Sequence, residues 1–393
     1  MATDVIDRLG LKVVDCDTHV VEAYDLWTSR VPSKYGDKVP HVERDANGVE
    51  WWMSSGKLLS PAAGIAIAGW KEPPPKFPAQ LDMVDPRIWQ PEGRLEIMDA
   101  YGIHSAVLYP NVAGFGAGRY TDFGDMELAR MLLQAYNDWL AEFGRIAPGR
   151  YIPVMAVPFW DIDLSLAEMA RCADMGHKGM VFSQAPQDFG APTLSDPHWD
   201  RLWAAAQEMG LSVNFHIGSG DVTMQQILDP GCGLHANYAS FPMTFFLGNA
   251  KTIATLIGGG ICHRFPDLKF VSVESGISWI PFALQALDWM WKECGVVKEH
   301  PEYELLPSEY FRRQIYGCFW FEHGATLDAS IDYLGADNIL YETDFPHPTS
   351  MSPGPVSSAL VPRDFITTNL GHLPDDVLRK ILQDNATKLY HLD

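Results

Sequence analysis

The chain has 393 residues, 47% of them apolar and 20% charged, and a formal net charge of −21 at pH 7. That composition excludes a disordered or collagen-like chain, and the acidity argues against a nucleic-acid binder or a protein held on anionic membranes. Six cysteines without a CxxC pair fit free thiols in a reducing cytoplasm. The start, MATDVIDRLGLK, carries charges where a secretion signal needs an apolar run, and no uninterrupted apolar stretch reaches spanning length. A cytoplasmic protein is expected.

In chain order the first predicted strand is Leu11–Cys16, and the long interval Thr18–His104 separates it from the second, Ser105–Tyr109. That interval holds a Pro-rich piece and the aromatics Trp51, Trp52, Trp70 and Trp89. A helix at Asp125–Phe143 leads to strand three, Ile152–Pro158, then a helix at Leu164–Met175 and strand four, Gly179–Ser183. A helix at Pro197–Met209 precedes strand five, Leu211–His216, which is followed by the Gly-, Met- and Phe-rich excursion Gly218–Thr244 and a helix at Met243–His263. Strand six is Leu268–Glu274, with a helix at Ile280–Cys294. Strand seven is Gln314–Phe321, with a helix at Gly324–Tyr333. Strand eight is Asn338–Thr343, and a helix at Asp375–Tyr390 closes the chain.

Short β-rich runs alternating with helices mark a parallel α/β architecture, and eight such units predict a (β/α)8 TIM barrel. No GxGxxG follows the first strand, which argues against the doubly wound alternative. The expected organisation is one domain over 1–393, with an insertion at roughly 28–90 and a lid loop at roughly 218–244. Both leave C-terminal strand ends, where such barrels place their chemistry; they are expected to form a lid over an apolar pocket or, equally, a surface excursion or dimer arm.

The strand ends carry the chemical signal. Strand one runs into Asp17 and His19, which share a face at i and i+2, and Glu22 follows. Strand five ends at His216, strand six at Glu274, and strand eight leads into Asp344 and His347. Carboxylates packed into one barrel mouth repel each other and lose hydration, and a cation relieves both costs. Four carboxylates would balance two divalent ions. The alternative is one ion on Asp17, His19, His216 and Asp344, with Glu274, Glu22 and His347 behind it or moving protons. His235 and Glu322 are lesser candidates. Arg87 and Arg94 are read as surface ion-pair formers that would otherwise clamp a carboxylate.

Val14–Val20 (VDCDTHV), Pro91–Ile103 (PEGRLEIMDAYGI), Ser195–His216, Gly258–Glu274, Glu342–His347 (ETDFPH) and Val377–Leu392 resemble the amidohydrolase-related TIM barrels, the group containing aminocarboxymuconate-semialdehyde decarboxylase. The resemblance covers nearly the whole chain and implies that Asp17, His19, His216 and Asp344 bind a divalent metal. Two departures stand out: Glu274 replaces the catalytic histidine usual at strand six, and strand four offers no lysine for the carbamate bridge of dinuclear hydrolases. The combination DxDxHxxE, Glu274 and DFPH is similar to a branch of nonheme diiron monooxygenases related to a hydroxylase of platensimycin biosynthesis. That branch implies two Fe ions on Asp17, His19, Glu22, His216, Glu274, Asp344 and His347. It also implies O2, an electron donor and a hydrophobic acyl substrate, expected here to be linked to CoA. The rival expectation is a hydrolase or nonoxidative decarboxylase with one Zn or Mn ion, in which Glu274 or His347 moves the proton. A homo-oligomer is expected in either case.

Overall fold

A computed structural model describes residues 4–220, 230–348 and 350–392. The barrel begins with β1 (Val13–His19). The first insertion then forms a separate antiparallel sheet of β2 (His41–Arg44), β3 (Glu50–Ser54) and β4 (Lys57–Pro61). The barrel resumes with β5 (Ile103–Tyr109), β6 (Tyr151–Pro153), β7 (Met155–Ala156), β8 (Gly179–Val181), β9 (Ser212–His216), β10 (Phe270–Val273), β11 (Ile315–Phe319) and β12 (Ile339–Tyr341). Hydrogen bonding runs β1-β5-β6 and β12-β11-β10-β9-β8-β7, all parallel. Only Val154 separates β6 from β7, so these two form the third barrel strand and join the two sheets. The seam closes between β1 and the end of β12: His19 N donates to the Phe345 carbonyl at 2.7 Å, and Asp344 N to the Asp17 carbonyl at 2.9 Å.

This is a distorted (β/α)8 barrel, and all eight predicted strands are present. Its strands are buried on both faces, inside by the barrel core and outside by the helical ring, which is why they read as apolar runs rather than as alternation. β1 extends to His19, so Asp17 and His19 lie on the strand itself. The helix Pro91–Tyr101 completes the first β/α unit. The sequence shows no clear amphipathic stripe there because one of its two buried residues is Arg94.

The insertion packs through aromatic rings, with Trp52 edge-on to Trp27 at a centroid distance of 5.2 Å. Of the predicted lid loop, 221–229 lie outside the described residues. Its later part is helical from Leu234 to Gly258, although Pro242, which has no amide hydrogen to donate, makes it read as a loop. Among the described residues no helix is long and apolar enough to cross a membrane.

Candidate metal centre

The C-terminal ends of the strands bring six side chains to one place. Ligand atoms of Asp17, His19, His216 and Glu274 lie within 4.8 Å of one another, as do those of His19, Glu274, Asp344 and His347. The first pair comes from β1, His216 ends β9, Glu274 follows β10, and Asp344 and His347 follow β12 across the seam. Glu274 and Asp344 both have left-handed backbones, with φ of 54° and 57°. Such a conformation is costly for residues other than glycine and clusters at functional sites.

The hydrogen bonds fix the ring tautomers. His19 Nδ1 donates to the Pro110 carbonyl at 3.1 Å, and His216 Nδ1 donates to the Ile217 carbonyl at 2.8 Å. When neutral, each ring turns a bare Nε2 lone pair inward; the two Nε2 atoms stand 3.0 Å apart, so either a proton on His216 or a cation has to sit with them. Two lone pairs at that separation require something positive beside them. Asp17 points the same way: neither of its buried oxygens has a hydrogen-bond donor among the described residues, and the Nε2 atoms of His19 and His216 stand at 3.4 and 3.6 Å. Imidazoles anchored through Nδ1–H beside fully buried carboxylates suit a divalent cation.

The electrostatics agree. Burial lifts the Asp17 carboxyl above its usual range against the pull of His216. Burial, then Asp344 and Asp17, pushes Glu274 far up. His19 is driven well down by burial and then by His347 and His216. Burial also opposes a charged His216, but Asp17 outweighs it and its pKa is raised. His347 lies flat on His19, centroids 3.7 Å apart, with Nδ1 2.8 Å from Asp344 Oδ1 and Nε2 2.8 Å from Asn111 Oδ1. Because the Asn111 amide nitrogen donates to the Val20 carbonyl, its oxygen is the atom that faces His347.

Glu22 is not brought into either ligand set. It is buried beside them, and Oε1 accepts from the backbone N–H groups of Asn111 and Val112 at 2.8 and 3.0 Å. His235 is exposed and bonds the Pro74 carbonyl at 2.9 Å, tying the strand-five excursion to the first insertion. Glu322 accepts from the backbone of Ile277 and Ser278 and so braces the turn after Glu274. Arg87 makes the expected ion pair, with Asp85 at 2.6 Å. Arg94 does not: it is 1% exposed and donates to the His19 and Phe345 carbonyls at 2.5 and 3.3 Å, stitching the seam.

Sequence reasoning passed over two groups, Asp15 and Glu342. Asp15 accepts from Thr343 N at 2.9 Å, and Glu342 accepts from Glu274 N at 3.1 Å. Each stands two residues before a candidate ligand, a spacing that places it on the same side of the chain one layer deeper. That spacing was the available signal.

The two-iron expectation is corrected here. The ligand sets share His19 and Glu274, so they describe one compact site, suited to a single divalent cation such as Mn or Zn. β8 runs out into Ser183 and Gln184, with Ser183 Oγ bonded to the Ser219 carbonyl, so no lysine stands there to bridge a second ion.

A family model described as Amidohydrolase matches residues 14–392. A gamma-resorcylate decarboxylase of Polaromonas sp. strain JS666 is 25% identical over 262 residues, covering 64% of this chain and 76% of the relative. An amidohydrolase from Mycobacterium avium subsp. paratuberculosis K-10 superposes with a TM-score of 0.71 at 22% identity, over 96% of this chain and 99% of that one. A 5-carboxyvanillate decarboxylase from Novosphingobium aromaticivorans, solved with bound manganese, superposes with a TM-score of 0.67 at 20% identity, over 98% of both chains. These findings overturn the diiron monooxygenase reading, and with it the O2, electron-donor and CoA-linked acyl partners. With its seam-spanning cluster and a match running nearly end to end, the chain belongs to the amidohydrolase family.

Proposed function

We propose that the protein is a metal-dependent, nonoxidative decarboxylase of a small aromatic carboxylic acid. One observation carries the reading. Asp17, His19, His216 and Asp344 have no exposed surface, whereas Glu274 and His347 are 8% and 7% exposed, so the cluster opens on the side of its two proton-carrying candidates. The decarboxylase relatives support the same reaction class.

Asp17, His19, His216 and Asp344 would hold the cation. When bound, it supplies positive charge that fixes the substrate's carboxylate and an adjacent ring oxygen. The chain's own groups do the rest. Glu274, whose burial and neighbouring carboxylates favour the protonated form, would donate its proton to the ring carbon that bears the carboxylate. The bond between that carbon and the carboxylate then breaks, its electron pair returns to the ring, and CO2 leaves. His347, held by Asn111 and with a ring nitrogen within 4.8 Å of the Glu274 carboxylate, returns a proton to Glu274. Arg94 and Asp15 keep the strand ends in register.

The test is a panel of hydroxybenzoates incubated with Mn- or Zn-loaded protein, with and without oxygen, following CO2 release and, in D2O, deuterium at the vacated ring carbon. Release at equal rates without oxygen is expected. Turnover that requires O2, or ester or amide hydrolysis with no CO2, would refute the reading.

A further inference from the structure

We infer that Phe115 sets which ring substituents a substrate can carry, as a wall between the cluster and a side pocket suited to an uncharged polar group. The inference rests on the decarboxylase reading and deepens it. Phe115 lies on the loop after β5, and its ring rests on three imidazoles of the cluster. Its centroid is 4.1 Å from that of His216, 5.0 Å from that of His19 and 5.9 Å from that of His347. The inward Nε2 atoms of His19 and His216 belong to the same rings, so a cation held there would have Phe115 as a near neighbour. An aryl acid whose carboxylate meets that cation then brings its ring against Phe115, in the offset or edge contact that aromatic pairs favour.

Backbone packing keeps the wall in place. A Cβ on Gly116 would lie 2.8 Å from Ser183 Cα and 2.9 Å from the Ser219 carbonyl oxygen, so only glycine lets the loop approach its neighbours this closely. Behind Phe115 lies a pocket of about 130 Å³. It is too small for a whole ligand and of a size for one substituent. Arg119 and Asp122 both line it, with Ser219 between Gly218 and Gly220. It therefore offers charge of both signs and hydrogen-bonding groups, which suits a neutral polar substituent such as a methoxy group better than an ion. None of the six cluster residues lines it, and Asn111 and Phe115 connect the two spaces. Asn111 is pinned by His347 and by the Val20 carbonyl. Phe115 holds its place by ring contacts alone, so the bulk of its ring is what keeps the pocket shut off from the cluster.

The experiment titrates salicylate, 4-methoxysalicylate and 5-methoxysalicylate calorimetrically into Mn-loaded full-length protein, as the parent, Phe115→Ala and Phe115→Leu. The parent is expected to favour salicylate over both methoxy compounds. In Phe115→Ala, salicylate should bind up to about tenfold more weakly, for want of an aromatic contact. At least one methoxy compound should gain about fourfold there, the worth of one methyl group buried in the opened pocket. Phe115→Leu fills most of the same volume without a π face and should keep the parent's order of preference. An unchanged preference in Phe115→Ala, or no binding to the parent, overturns the inference. So does a loss of order in Phe115→Leu as large as in Phe115→Ala, since the ring's face and not its bulk would then decide. Elemental analysis should find the same metal content in all three proteins; loss of metal from Phe115→Ala would make the ring a support for the imidazoles, again overturning the inference. CO2 release is recorded separately: an altered preference without CO2 sinks the decarboxylase reading and leaves the wall standing.

Discussion

Glu22 separates two accounts of the barrel mouth, as a metal ligand or as a brace for the Asn111 loop. Burial raises its carboxyl from the ordinary 4.5 to about 7, against the downward pull of the Asn111 and Val112 N–H groups. Between those values the unfolded chain has already released this proton while the folded one retains it. Stability therefore falls as pH rises through the window, and the loss from this group is about 3 kcal/mol once pH exceeds 7. Glu22→Gln keeps an acceptor for both N–H groups and cannot ionise. Its amide nitrogen will lack a partner where Oε2 now lacks one, a cost of about 1–3 kcal/mol that does not vary with pH. Stability of mutant minus parent should therefore climb by about 3 kcal/mol from pH 4.5 to pH 8 in metal-free protein, measured from urea midpoints across that range. Parallel pH profiles would refute the titration argument. Loss of the bound metal in Glu22→Gln, measured by elemental analysis, would refute the bracing role.

Chelation should destabilise the protein, because the crowded carboxylates then face one another. Resupply of Mn or Zn at a thousandfold excess over Kd should restore about 4 kcal/mol, read as a denaturation shift, without any iron. Asn111→Ala frees His347 Nε2 and should lower turnover roughly 10- to 100-fold while metal content stays constant, a difference that kcat and elemental analysis report together. Arg94→Met removes the guanidinium donor from the His19 carbonyl and the second donor from the Phe345 carbonyl, which keeps His19 N, and should cost about 1–3 kcal/mol in unfolding free energy. A midpoint equal to the parent's would show that the seam holds without it.

The barrel was readable because each strand is buried on both faces and so writes an apolar run, and the helices between them keep a usable period. The candidate cluster was readable because its members follow those runs directly. The number of metals was not, because counting charge assumed that Glu22 faces the cluster, and only the fold shows its carboxylate turned to the Asn111 backbone. Arg94 was misread for a related reason: a guanidinium bonded to carbonyl oxygens looks in sequence like one paired with carboxylates at the surface. Asp15 and Glu342 lie in full view within the same motifs, but depth along a strand is not written in residue type.

The seam has a consequence for the order of assembly. The cluster's members come from both ends of the barrel, Asp17 and His19 from its first strand and Asp344 and His347 from just beyond its last. A contact spanning over three hundred residues is among the slowest to form. β1 has its β5 partner early in the chain, but its aspartate and histidine meet Asp344 and His347 only once nearly the whole chain has been made. The site is thus a built-in checkpoint, and a chain truncated before Asp344 lacks half of the seam's contribution to it. A cation that bridges the two ends would act as the final clasp, so metal supply should govern how much of the newly made protein reaches its closed form.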